Sequence, residues 1–188
     1  MRLLIYGSKE FALTVMELVR HCGHESVGMV DDFNSGSGIL GNIETVRRDF
    51  SPNEYGMVLA IGYSNLTARW LAWERIVAAG YISPTLIHPR AYVADTAQVG
   101  QGCMVMAGAI VDVRAKLGDA VVAWPGVCIN HDVVIGNNTF LSPNSTICGC
   151  SVVGVNTFIG ANAVIADHCS VPPASFIKMQ SRFIGLTR

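Results

Sequence analysis

From Ile87 onward an aliphatic side chain returns at every sixth position. Ile87, Val93, Val99, Val105, Val111 and Leu117 begin the series. Ile129, Ile135, Leu141, Ile147, Val153, Ile159, Ile165, Val171 and Ile177 continue it, and Ala123 alone lacks a branched side chain. A period of six fits neither the 3.6 of an α-helix nor the 2 of a half-buried strand. It predicts a coil with three short faces, each turning one aliphatic residue toward a common axis, which is a parallel β-helix. Sixteen rungs at three per coil make about five coils, a prism roughly 24 Å tall at about 4.8 Å per stacked strand. Four residues after each aliphatic stands a small or β-branched residue, as at Ala109, Val127, Ser145, Thr157 and Cys169. A tight coil has room for little else there. Gly100, Gly118, Gly136, Gly154 and Gly160 directly follow rung aliphatics, and they are expected to sit in bends with unusual backbone angles.

The first 85 residues follow a different pattern. Residues 2–6 read as a buried strand and Gly7-Ser8 as a turn. Residues 10 to about 21 form an amphipathic helix on Phe11, Val15, Leu18 and Val19. Residues 27–30 make a second strand ending in Asp31-Asp32, a loop marked by Gly36 and Gly38 follows, and residues 57–61 make a third strand before Gly62 and a helix over about 66–79. This β-α-β-loop-β-α order predicts a small parallel, Rossmann-like sheet with its ligand at the strand C-termini. The chain thus divides into an α/β domain over 1–85, read as nucleotide-sugar-binding, and a β-helix over 86–188, read as the acyltransferase part.

Composition narrows the function. Hydrophobic residues make up 51% of the chain and charged residues 14%, an apolar balance that buried subunit interfaces would explain. The net charge of −1 recommends no nucleic-acid partner. No apolar run reaches the length of a membrane span, and no leader pattern opens the chain, so a cytoplasmic protein without membrane insertion is expected. The six cysteines form no Cys-x-x-Cys pair. They read as reduced, buried thiols, and no metal site is expected.

Two places carry candidate chemistry. In the first half these are Gly7-Ser8, Asp31-Asp32 and the stretch Gly62, Tyr63, Ser64 and Asn65, where backbone N–H groups and carboxylates could hold a nucleotide or nucleotide sugar. The same residues serve equally as strand caps and turn formers. After Gly7 come Ser8, Lys9 and Glu10 rather than the run of glycines that lets a backbone approach phosphates closely. In the second half Asn130-His131-Asp132 follows the Ile129 rung. His131 can take a proton from an incoming nucleophile, and Asp132 can fix its tautomer if the chain turns a corner there. A surface histidine beside an aspartate is the plain alternative. Gly149 lies eighteen residues on, one coil along. It could offer its N–H to a carbonyl oxygen or simply serve a bend.

These residues resemble a known group. Leu3-Leu4-Ile5-Tyr6-Gly7, Val30-Asp31-Asp32, Ala60-Ile61-Gly62, Ile87-His88-Pro89-x-Ala91-x-Val93 and Ile129-Asn130-His131-Asp132 together look like the sialic acid O-acetyltransferase and nucleotide-sugar N-acetyltransferase family, the NeuD/PglD-like enzymes. The resemblance implies a left-handed β-helix and a homotrimer with active sites between neighbouring prisms. It implies acetyl-CoA as co-substrate, without a metal, and a nucleotide sugar on the N-terminal sheet. His131 would be the general base, Asp132 its orienting acid and Gly149 the donor to the thioester carbonyl. Asp31 and Asp32 would lie near base and ribose, and Gly7-Ser8 near the phosphates. The expected reaction is direct N-acetylation of a nucleotide-linked 4-amino-4,6-dideoxy sugar for surface-glycan synthesis. The alternatives are O-acetylation of a sugar such as sialic acid, and a trimeric sugar-nucleotide scaffold without chemistry.

Overall fold

The structure, a computed structural model, describes residues 1–185, so the last three residues of the expected β-helix segment lie outside the described residues. The chain folds as two compact units, Met1–Leu86 and Ile87 onward. Among the described residues no helix is long and apolar enough to cross a membrane.

In the first unit, β1 (Arg2–Tyr6), β2 (Glu25–Val30), β3 (Ile39–Gly41) and β4 (Tyr55–Leu59) form one sheet in the order β3-β2-β1-β4. Every pairing is parallel. β1 is central, and Leu3, Leu4, Ile5 and Tyr6 are all buried, the near-continuous apolar run that a parallel strand covered on both faces requires. Helix α1 (Glu10–His21) buries Ala12, Val15, Leu18 and Val19, one stripe of its surface. Helix α2 (Ile43–Asp49) starts at Asn42, whose side chain accepts the Thr45 N–H, and α3 (Leu66–Ala78) starts at Asn65 in the same way through Ala68. The chain leaves β1 toward β2 on one side and later returns to pair β4 on the other. The strand order therefore reverses at β1, and a crevice opens there at the strand C-termini.

The stretch between Gly36 and the last strand is not a plain loop, because it contains β3 and α2. Both are short, three and seven residues, below the length at which periodicity separates an element from a loop. The last strand also starts two residues earlier than its apolar run suggests.

From Leu86–Ile87, at the unit boundary, to Arg182–Phe183 the chain forms a stack of two-residue strands in three parallel sheets of five, six and six strands. Each residue pairs with the one eighteen further on, as in Lys116 with Val134 and Val134 with Val152. Val105, Val111, Ala123, Ile129, Leu141, Ile147, Ile159 and Ile165 are fully buried along the axis. The phase runs one rung beyond the aliphatics, since Phe183 packs against the same core. Several polar residues in the small register are buried with their hydroxyls bonded to backbone carbonyls, although the Ser145 hydroxyl finds no such partner. Ser151 Oγ donates to the Ala166 carbonyl at 2.7 Å and Thr139 Oγ1 to that of Gly154 at 3.2 Å.

The corners correct one expectation. From Val99 onward the left-handed backbone falls three residues after each rung residue, at Gly102, Gly108 and Gly126 and, among residues with a side chain, at Arg114, Ala120, Asp132, Asn138, Asn144, Cys150, Asn156, Asn162, His168, Ala174 and Gln180, the latter all with φ between 55° and 59°. Four of these are asparagines, which tolerate that region best among non-glycine residues. The glycines directly after the aliphatics have ordinary φ and serve clearance instead. A Cβ on Gly118 would lie 2.1 Å from Asn137 Oδ1, and one on Gly136 would lie 2.5 Å from the Val155 nitrogen.

Candidate active site

The position two residues after each rung aliphatic lies at a corner whose N–H the ladder does not use. Pro89, Pro125, Pro143 and Pro173 occupy it in four rungs, where an N–H is dispensable. His131 and Gly149 hold this same position in consecutive coils. The next residue does join the ladder, since the Cys150 N–H donates to the His131 carbonyl at 3.1 Å. His131 and Asp132 thus stand on either side of a bend, which is how two adjacent residues come to face one another.

His131 Nδ1 lies 3.0 Å from Asp132 Oδ2. The histidine side chain is half exposed, and that of Asp132 is 37% exposed. Arg114, eighteen residues before Asp132 and at the equivalent corner, donates from Nε to Oδ1 at 2.7 Å and from Nη2 to Oδ2 at 2.8 Å. This forked pairing, with the His131 bond second, holds the Asp132 carboxyl far below the ordinary carboxylate range. An ionised Asp132 accepts from Nδ1–H, which leaves the Nε2 lone pair of His131 as the site for a proton. Gly149 lies against the imidazole, and a Cβ there would sit 2.6 Å from both Cε1 and Nε2. Glycine is required for the ring to rest in place. Sequence reasoning missed Arg114, although a step of one coil back from Asp132 leads straight to it. It also missed Cys150, one coil forward.

In the first unit a cleft of about 1380 Å³ opens at the C-terminal ends of β1, β2 and β4. Gly7, Ser8, Asp31, Asp32 and Gly62 line it, whereas Tyr63 and Asn65 are not among its lining residues. Asn65 spends its side-chain oxygen on the Ala68 N–H at 2.9 Å. Gly7 has φ of 128°, and a Cβ there would lie 2.4 Å from the Ala60 carbonyl oxygen, so only glycine fits where β1 ends. Its N–H is taken by the Val30 carbonyl at 2.8 Å.

The two aspartates are held firmly. Asp31 accepts from Ser8 Oγ at 2.5 Å and from the N–H groups of Phe33 and Asn34, each at 2.9 Å. Burial works to raise its carboxyl, but these bonds outweigh it and leave it below the usual value. Asp32 accepts from the Tyr6 hydroxyl, from Arg75 Nη1 at 2.5 Å and from the Ile43 N–H at 3.0 Å. Burial, then the bond to Asp32, pushes the Tyr6 phenol up to about 12 against the opposing influence of Arg75. The start of α1 has no side-chain cap and lies on the cleft beside Lys9, a helix end whose dipole favours an anion.

Residues 114–149, from Arg114 to Gly149, match the bacterial transferase hexapeptide family (six repeats). No curated protein sequence matches the chain. Solved structures do. The acetyltransferase domain of PglB from Neisseria gonorrhoeae is 25% identical with a TM-score of 0.89, over 100% of this chain and 93% of that one. The same domain in complex with acetyl coenzyme A is 26% identical with a TM-score of 0.84, over 95% and 88%. A mutant of perosamine N-acetyltransferase from Caulobacter crescentus, in complex with CoA and GDP-perosamine, shares the fold at 22% identity and a TM-score of 0.78, over 95% and 93%. The chain carries the transferase hexapeptide repeat over residues 114–149 and is built along nearly its whole length like the acetyltransferase domain of PglB.

Proposed function

We propose that the protein transfers an acetyl group from acetyl-CoA to the amino group of a nucleotide-linked sugar, with His131 as general base. The observation that carries this reading is the corner at which Asp132 orients His131 directly over Gly149. The solved structure at 26% identity holds acetyl coenzyme A, and a more distant one holds GDP-perosamine, an amino sugar on a nucleotide.

The sugar amine attacks the thioester carbonyl and His131 Nε2 accepts its proton. The oxyanion of the tetrahedral intermediate meets the Gly149 N–H. Collapse expels the CoA sulfur, which recovers the proton from the imidazolium, so no enzyme-bound acyl group forms. The cleft of the first unit holds the nucleotide, with its phosphates at the start of α1 and its base and ribose near Asp31 and Asp32. Because both aspartates are already engaged, they act through the shape and charge of the crevice wall more than as open acceptors. The active unit is a homotrimer with sites between neighbouring prisms. Ile110 and Val134, each 40% exposed on the rungs around the site, are apolar surface that such packing would cover.

The test is free-thiol release from acetyl-CoA across a panel of nucleotide-linked 4-amino sugars, sialic acid and simple hydroxyl sugars. Release with amino sugars alone supports the reading. Release with hydroxyl acceptors alone moves the assignment to O-acetylation, and silence throughout leaves a binding scaffold. His131→Ala should lower turnover by roughly 10²–10⁴ with the assembly intact, and full activity in that variant would remove the base assignment.

A further inference from the structure

Two successive coils bring three ligand-type side chains to one corner. The imidazole of His131, the carboxylate of Asp132 and the thiol of Cys150 offer donor atoms that all lie within 4.8 Å of one another. Asp132 and Cys150 hold equivalent positions one coil apart, both with φ of 58°, and the Cys150 N–H bonds the His131 carbonyl. The spacing therefore comes from the ladder and not from a mobile loop. We propose that this corner binds a thiophilic divalent cation of the Zn²⁺ kind through Cys150 Sγ, Asp132 Oδ2 and His131 Nδ1, and that the bound ion inhibits the enzyme. The inhibitory part rests on His131 being the base.

The donor set decides the ion. Thiolate with imidazole and one carboxylate suits Zn²⁺ and its relatives, whereas Mg²⁺ and Ca²⁺ want oxygen alone. Tetrahedral bonds of ordinary length set such donors roughly 3.4–3.6 Å apart, so side-chain movements of about an ångström close the site. Three protein ligands leave a fourth position for water. Proton balance then explains inhibition. The ion displaces the thiol proton and takes the Nδ1 lone pair, so the one remaining imidazole proton resides on Nε2. That is the atom that must be free to receive the proton of the amine. The proposed transfer itself needs no metal, and the ion acts only as a brake. Arg114, already forked onto Asp132, adds a positive charge beside the site, which weakens the hold on a cation.

The test reads binding apart from activity. The purified full chain is titrated with Co²⁺ and followed by sulfur-to-cobalt absorption, with Cys150→Ser and Cys148→Ser in parallel. One saturable site is expected, kept in Cys148→Ser and weakened more than about 100-fold in Cys150→Ser, beyond the roughly 10–100-fold that loss of an outer-shell partner alone causes. Zn²⁺ should slow acetyl transfer, a chelator should restore it, and Cys150→Ser should be resistant. Absence of the cobalt band, a band unchanged in Cys150→Ser, or equal Zn²⁺ inhibition of that variant would each overturn the assignment. A normal cobalt site in a protein with no transferase activity would instead overturn the proposed function while the binding site stood.

Discussion

Arg114 grips Asp132 through both carboxylate oxygens, at 2.7 and 2.8 Å, from the equivalent corner one coil below. The pair links two layers of the stack and fixes the carboxylate on which His131 rests. Arg114→Gln should therefore act through His131. The carboxyl of Asp132 would rise toward its ordinary range, and the carboxylate, no longer compensated, would favour the imidazolium. A protonated His131 cannot act as base, so the acidic limb of the kcat–pH profile should move to higher pH. The fall in kcat should be smaller than the roughly 10²–10⁴ lost with His131 itself. Arg114→Lys should recover only part, because an ammonium cannot fork onto two oxygens. A profile unmoved by Arg114→Gln would reduce the arginine to a structural tie.

Gly149→Ala tests whether the glycine exists for the imidazole. Its new methyl would sit 2.6 Å from the ring, so His131 must swing off Asp132. Because a misplacement of about 1 Å can cost 10²-fold, kcat should drop by about that factor while thermal stability changes little. A large loss of stability at unchanged kcat would instead show that the glycine serves the bend.

The alkaline titration of Tyr6 follows from its place in the first unit. With its phenol pushed up to about 12, above the ordinary value near 10, Tyr6 stabilises the fold fully below pH 10 and loses that contribution as pH rises through 12. Of the five tyrosines, Tyr6 should ionise late. Tyr6→Phe should remove that late absorbance step and weaken the alkaline dependence of stability. A spectrum in which Tyr6→Phe removes an early step would contradict the Tyr6–Asp32 bond.

Ala174 is exposed and holds φ of 56°, a conformation that costs a residue with a Cβ about 1–2 kcal/mol. Glycine relieves this, but its greater freedom when unfolded costs about 0.5–1 kcal/mol. Ala174→Gly should therefore stabilise the protein by roughly 0.5–1 kcal/mol in urea unfolding. The same change at Ala91, outside the left-handed series, should not.

Much of this was legible before any coordinates. The six-residue period identified the β-helix, placed its core and set the coil at eighteen residues, which was enough to align Gly149 with His131. The strand ends at Gly7 and Asp31-Asp32 located the cleft of the first unit. β3 and α2 were not legible, because an element of one or two turns leaves too few positions for a period to show. The role of the rung-following glycines was misjudged for a related reason. A glycine signals equally a left-handed angle or a close neighbour, and at Gly118 and Gly136 the neighbour belongs to the next coil.

The sequence by itself determined the repeat, because burying one aliphatic per face is a local demand that each hexapeptide states again. Only the tertiary structure decided which corner residues meet. Arg114, Asp132 and Cys150 become neighbours when successive coils stack in register, and the direction of each side chain there depends on a left-handed backbone angle that the chain does not announce. The forked ion pair, the ring resting on Gly149 and the convergence of thiol, imidazole and carboxylate all depend on contacts across layers. Such contacts follow from packing, which a one-dimensional pattern can align but cannot aim.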